Sequence, residues 1–216
     1  AYREDPKTDF HQKVADIANI PRKMAKTINL GIMYGMGVTR LAEQLDVAPD
    51  EAKRLMKAYH EDVPFVKELS EAVQRKVAHR DKGGAVRSLL GRKCRFDLWE
   101  PNLFVSARAL PKEEANLEYG DNIKRAYVFK ALNKLIQSSA ADQTKAAMAE
   151  IFEETGKTPL VQVHDELAFS VSGEAEARDL CKIMEGAVTL EVPTPSEISL
   201  GENWGKLTKQ AEVELD

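Results

Sequence analysis

The sequence predicts an α+β protein, helical in its first part and closing on short antiparallel strands with helices on one face. Two observations predict it. Between Asp9 and Val77, apolar residues recur three or four positions apart in successive blocks separated by Gly and Pro. From Leu160 to Val171 the period changes to two, on either side of a charged turn.

Composition bounds the rest. A chain of 216 residues can bury one sizeable core, or one core plus a helical extension. With 43% hydrophobic and 31% charged residues it reads as a globular protein and not a disordered tail. No apolar run approaches the ~20 residues of a membrane span. Cys94 and Cys181 have no neighbours at metal-ligand spacing and read as structural thiols in a reducing compartment. The net charge of −4 divides unevenly, with +5 over residues 1–130 and −9 over residues 131–216. A basic first part attracts phosphate, and an acidic second part repels it unless metal ions intervene.

The elements follow in chain order. The chain opens on AYREDPKTDF, without an initiator Met or an apolar start, and is expected to continue something upstream. Asp9 is the expected N-cap of a helix over 11–18. A second helix covers Arg22 to Gly35, and residues 36–39 turn. Thr39 then caps a helix through Leu41, Ala42 and Leu45. Another starts at Ala48-Pro49-Asp50 and runs to about Tyr59, and Pro64 opens a longer one through Val66 and Val77. Residues 81–84 (DKGG) form a turn. They lead into a basic extended stretch over 85–96, with a bend at Gly91-Arg92. Residues 97–120 have no periodicity and are expected to be loop with short helical turns. Helical spacing returns from Lys124, and SSAADQTKAAMAEIFEE follows as a second helix. Strands at 160–163 and 167–171 flank a tight turn at His164-Asp165-Glu166. A helix spans 174–188, and a third strand at 197–201 is expected to join the other two.

Four groups of residues carry chemistry. On the second helix Arg22, Lys26, Leu30 and Tyr34 lie four apart along one flank: two cations, an apolar plate, then a ring. Two cations one turn apart fit a polyphosphate and a flat surface beyond them fits a base, although RxxxK alone is ordinarily a solvated edge. Ser88, Arg92 and Arg95 lie on the basic stretch, which alone reads equally as a solvent-facing ribbon. Asn133 and Gln137 put two amides on one helix face, where the plain reading is a pair of buried amides joining helices. His164, Asp165 and Glu166 sit at the turn of VQVHDELAF, which alone could be a solvated tip.

Together the strings are more specific. RKMAKTINLGIMYG resembles the nucleotide-binding O helix of family A DNA polymerases, and SLLGRKCR, ALNKLIQSSAAD and VHDE resemble further motifs of that family, in its order. The resemblance covers roughly 5–96 and 124–207, and ALNxLxQS is closer to bacteriophage members than to bacterial repair enzymes. It implies helical fingers over 1–123, with the C-terminal part of an antiparallel-sheet palm over 124–216. It assigns Arg22 and Lys26 to the incoming triphosphate and Tyr34 to the insertion site. Leu30 stands where most members place Phe or Tyr. Lys26 is also implied as a proton donor to pyrophosphate. Ser88, Arg92 and Arg95 would contact the nucleic-acid backbone. Asn133 and Gln137 would meet the minor groove of the primer–template, where correct base pairs present common acceptors. Members often carry Arg where Phe129 stands here, leaving Lys130 or Arg125 as the alternative substitutes. His164 would lie near the primer terminus. Asp165 would bind the metal, with Glu166 secondary.

The implied activity is template-directed transfer of a deoxynucleotide from dNTP to a primer 3′-OH, in the cytoplasm of a bacterial or phage-infected cell. It implies two Mg²⁺ ions shared with a carboxylate upstream of residue 1, and an upstream remainder of the polymerase as partner, in the same parent chain or a separate subunit. Thumb and exonuclease are absent from these residues, and with only half of the metal site the isolated chain is expected to be inactive. Two other readings stand beside this one. One is a primer–template-binding module or half of a split polymerase. The other is a single-subunit RNA polymerase, which usually has Ser where this chain has Glu166.

Overall fold

Punctuation by Pro and Gly sets the helical part. The computed structural model describes residues 2–5, 8–18, 20–79, 83–103 and 107–209. Residues 9–138 form one compact unit, and residues 1–8 with 139–216 form another. The first unit extends past residue 123 because Ile123 belongs to a sheet core within it, and Ala131 is buried against Val77, Val86 and Phe96.

Five helices open that unit: α1 (Phe10–Ala18), α2 (Arg22–Met33), α3 (Val38–Leu45), α4 (Pro49–Asp62) and α5 (Pro64–Ala78). Asp9 caps α1 as expected, its Oδ1 accepting from the Gln12 N–H at 3.0 Å. Pro at the first position of α4 and α5 costs nothing, because that N–H has no partner inside a helix. Thr39 does not cap α3. Gly37 holds the N-cap position, one residue before the helix begins, so Thr39 falls inside the first turn. The shared core of α1–α4 includes Val14, Ala25, Ile28, Leu41, Leu55 and Tyr59. Each side chain of Leu or Ile size hidden there contributes about 1.5–3 kcal/mol.

Beyond α5, the turn expected at 81–84 falls partly on Asp81 and Lys82, which lie outside the described residues. Gly84 takes a left-handed φ of +91°. The basic stretch is the hairpin β1 (Ala85–Arg87) and β2 (Lys93–Arg95), with Val86 opposite Cys94. Residues 98–101, 110–119 and 123–125 form regular elements, the first two where loop with short helical turns is expected. β3 (Leu98–Pro101) lies between β4 (Leu110–Pro111) and β5 (Ile123–Arg125), and helix α6 (Lys112–Tyr119) joins β4 to β5. The strands are two to four residues long and include Pro101 and Pro111, too short to show alternation. Trp99 organises this sheet. It is 3% exposed, with the Arg125 guanidinium 4.5 Å and Lys112 Nζ 5.4 Å from its ring centre.

The helix expected from Lys124 begins instead at Ala131, because Tyr127 has a φ of +59°, which an α-helix cannot hold. It is then one continuous element, α7 (Ala131–Thr155), since its 25 residues contain no Gly or Pro to break it. In the second unit β6 (Val161–Val163) pairs with β7 (Glu166–Ala168), which places Glu166 opposite Val163 in the ladder and leaves His164 and Asp165 as the turn. α8 (Glu174–Gly186) buries Leu180 and Cys181. The closing strand β8 (Ser199–Gly201) pairs with β9 (Leu207–Lys209), not with β6 or β7. A 3₁₀ turn at 204–206 returns the chain onto it, held by the Asn203 side chain accepting from Gly205 N–H. The α+β class stands, with the antiparallel strands distributed over small sheets.

Candidate functional site

α2 is divided lengthwise by its own sequence. Ala25, Ile28, Asn29 and Ile32 face the core. On the opposite flank Arg22 and Lys26 are exposed, Leu30 is half-buried, and Tyr34 is 45% exposed. Four residues of helix advance about 6 Å, so the two cations and the apolar plate follow one another at the spacing of a nucleoside triphosphate.

Arg22 is not solvated freely. Its Nε donates to Asp9 Oδ2 at 2.6 Å, while Lys26 has no side-chain partner among the described residues. The Gln12 N–H, and then the Arg22 guanidinium, hold the Asp9 carboxyl below its ordinary value. His11 stands beside them, its Nδ1 accepting from the Asn29 amide at 2.9 Å. Burial pushes its pKa down, Asp9 opposes this, and Arg22 and Lys26 add to it. The sequence marks Asp9 as a cap and assigns His11 no site role. The available signal was Asp9-x-His11 ahead of a cationic helix, but the pairing across α1 and α2 is tertiary.

The far end of α2 is fixed by its glycines. Gly35 has a φ of +73°, its N–H donates to Ile32 O, and Met36 N–H reaches back to Gly31 O at 2.8 Å. A Cβ on Gly35 would stand 2.9 Å from the Phe129 carbonyl oxygen. The bulky neighbour that glycine admits here is therefore the protein's own backbone. A Cβ on Gly31 would likewise meet the Met36 side chain, at 2.9 Å.

That closeness brings two expected site residues together. Gln137 Nε2 donates to the Tyr34 hydroxyl at 2.9 Å. Asn133, one turn earlier on α7, is half-buried, and Gln137 is exposed, so these are not two buried amides. Arg92 is also tied to α7, its Nη2 donating to Ser138 O at 2.9 Å. Arg95 is exposed on β2. Ser88 differs from expectation. It is 5% exposed, and both its N–H and its hydroxyl donate to Arg92 O, so it shapes the hairpin and presents no hydroxyl to a ligand. Of the two cations near Phe129, Arg125 is committed to Trp99 and to Phe96 O, at 2.9 Å. Lys130 is exposed, with its Nζ 4.8 Å from the Tyr127 ring centre and 5.6 Å from that of Phe129.

On the β6–β7 hairpin His164, Asp165 and Glu166 are all exposed, and His164 has a left-handed φ of +53°. The Gln162 amide donates to His164 O and braces the turn. Exposed carboxylates are hard oxygen donors suited to Mg²⁺. Among the described residues no three His, Cys, Asp or Glu cluster to hold a metal, so the pair fits as part of a site only.

A mixed α/antiparallel-β chain that lines up two cations, an apolar plate and a ring along one helix flank has the features of a nucleotide-binding protein. The model for DNA polymerase family A matches residues 3–206, and the chain belongs to that family. It is 33% identical to the DNA-directed DNA polymerase of Pseudomonas phage M6, over 94% of this chain and 32% of the phage protein. It is 34% identical to the thermostable DNA polymerase I of Thermus aquaticus, over 85% of this chain and 20% of that protein. A similar solved structure is the POL domain of Pol1 from M. smegmatis in complex with DNA primer-template and dNTP. Its TM-score is 0.65 at 29% identity, covering 87% of this chain and 33% of that one. The chain thus spans a third or less of the length of these relatives.

Proposed function

We propose that this chain forms the nucleotide-facing and duplex-facing part of a DNA-directed DNA polymerase that adds deoxynucleotides from dNTP to a primer 3′-OH and releases pyrophosphate. The observation that carries the proposal is the lengthwise division of α2. An exposed Lys26 with no side-chain partner among the described residues and an Arg22 held by one edge stand in line with Leu30 and Tyr34, on a helix whose other face is locked in the core.

The roles in this reading are those that the family resemblance implies. Arg22 and Lys26 take the triphosphate, and Lys26 gives a proton to the departing pyrophosphate. Leu30 packs against the nucleoside and Tyr34 marks the insertion position. Gln137, with Asn133 one turn away, offers amide donors to the minor groove, where the acceptors are common to all correct pairs. Arg92 and Arg95 supply salt-dependent contacts to the phosphate backbone without reading sequence. Lys130 replaces the family's Arg, because Arg125 is built into the sheet. His164 is assigned to the primer terminus, and Asp165, with Glu166 beside it, to Mg²⁺. Bound there and by a carboxylate outside these residues, two such ions would activate the attacking oxygen and stabilise the leaving one. The fingers correspond to 1–123 and the palm to 124–216 in this reading. The cytoplasm of a bacterial or phage-infected bacterial cell is its setting.

A second reading, half of a split polymerase or a primer–template-binding module, also fits the exposed Asp165–Glu166 pair, to which no third donor is added among the described residues. Primer extension with Mg²⁺ separates the two. The 216-residue chain alone should be inactive and should gain synthesis when the upstream part of the polymerase is supplied. Robust extension by the chain alone contradicts the assignment of half a metal site, and binding of primer–template with no gain on completion leaves the module. In the completed enzyme Lys26→Ala should lower nucleotide use by about tenfold to a hundredfold, the range of a charge-assisted bond, and leave duplex binding near wild type. Equal losses in both would remove Lys26 from the nucleotide site.

A further inference from the structure

We infer that Asp9 is a positioning residue for the triphosphate, holding the Arg22 guanidinium at the head of α2 so that its terminal nitrogens face outward for phosphate oxygens. The inference rests on the function proposed above.

The geometry is that of one carboxylate serving two donors. Asp9 Oδ1 accepts from Gln12 N–H at 3.0 Å and is thereby fixed to the start of α1. Asp9 Oδ2 accepts from Arg22 Nε at 2.6 Å. Arg22 has no other hydrogen bond among the described residues, and its side chain is 51% exposed, so the Nη1–Nη2 edge remains open. That edge is the one that meets two phosphate oxygens at once. An arginine on a helix surface otherwise spreads over many rotamers, and binding must collect them. Tethering Nε to a helix cap removes much of that cost before the ligand arrives.

Asp9 also carries a negative charge, which works against a polyphosphate. The two effects separate by salt. At 0.5 M salt the screening length is roughly 4 Å, so repulsion across the guanidinium fades while the tether, a direct contact, persists. Removal of the carboxylate should therefore weaken binding most clearly at high salt.

The test is equilibrium titration of the 216-residue chain with dATP and with inorganic tripolyphosphate, in EDTA so that no metal contributes, at 0.1 and 0.5 M NaCl. Asp9→Asn keeps one acceptor oxygen for the Gln12 N–H and preserves the cap, but has no second oxygen for Arg22. At 0.5 M salt it should bind both ligands roughly threefold to fivefold more weakly than wild type, the range of an exposed ion pair. The loss should vanish in an Arg22→Ala background. Asp9→Ser, which caps α1 but cannot reach Arg22, should behave as Asp9→Asn does and so guard against a folding effect. Binding by Asp9→Asn as tight as wild type at 0.5 M, or an equal loss in the Arg22→Ala background, overturns the inference alone. Binding that Lys26→Ala leaves unchanged overturns the proposed function, and this inference with it.

Discussion

Gly35→Ala probes the joint on which the site is built. Gly35 ends α2 with a φ of +73°, and a Cβ there would stand 2.9 Å from the backbone oxygen of Phe129 and 3.4 Å from its ring. A residue with a Cβ loses about 1–2 kcal/mol in the left-handed conformation. Crowding a carbonyl that sits in a fixed backbone adds about 1–2 kcal/mol more. Restricting the unfolded chain returns about 0.4–1 kcal/mol. The net loss is therefore about 1–3.5 kcal/mol. Urea denaturation measures it, followed by the emission of Trp99, which is 3% exposed and reports the unit holding Gly35. A Trp204→Phe background removes the 47%-exposed second indole. Gly37→Ala is the control. Its φ is −86° and an added Cβ meets nothing within 4 Å, so it should stay within about 0.5 kcal/mol of wild type. Tyr34 is the residue before Gly35, so the strained variant should also weaken the Gln137–Tyr34 contact and lower duplex affinity. A Gly35→Ala midpoint indistinguishable from wild type would refute the claim that the end of α2 is pinned against Phe129.

Two further predictions test other parts of the site. In the completed polymerase, Leu30→Tyr should ease incorporation of dideoxynucleotides relative to deoxynucleotides; an unchanged ratio takes Leu30 out of the sugar pocket. Acid should destabilise the unit that holds His11 and His60. Burial leads in pushing both below the ordinary 6.5, with Arg22 and Lys26 adding to it at His11 and Lys67 at His60. The unfolded chain then binds more protons than the fold below about pH 6.5, so stability is complete above that pH and falls as pH drops through it. Thermal melts between pH 7.5 and 5.5 should show the fall, and His11→Gln/His60→Gln should flatten it; an equal slope in the double variant would assign the loss elsewhere.

What the sequence determines here is what local periodicity and punctuation can carry. Which flank of α2 faces water follows from the four-residue spacing of Arg22, Lys26, Leu30 and Tyr34, because a helix turns by nearly the same angle at every residue. Asp9 as a cap and Pro49 and Pro64 as helix openers follow from backbone groups that have no partner inside a helix. Tertiary structure alone decided the rest. The sheet around Trp99 was illegible because its strands are too short for alternation to register, and their pairing is set by distant segments. Ser88 reads as exposed in an isolated ribbon, and only the fold shows it turned inward on Arg92 O. Residues 103 apart in the chain, Gln137 and Tyr34, meet because Gly35 lets α2 stop against Phe129, and Arg22 meets Asp9 because two helices share a core. Spacing along a chain fixes directions around a single helix axis. Which residues become neighbours depends on how the loops close, and that is settled by packing over the whole unit.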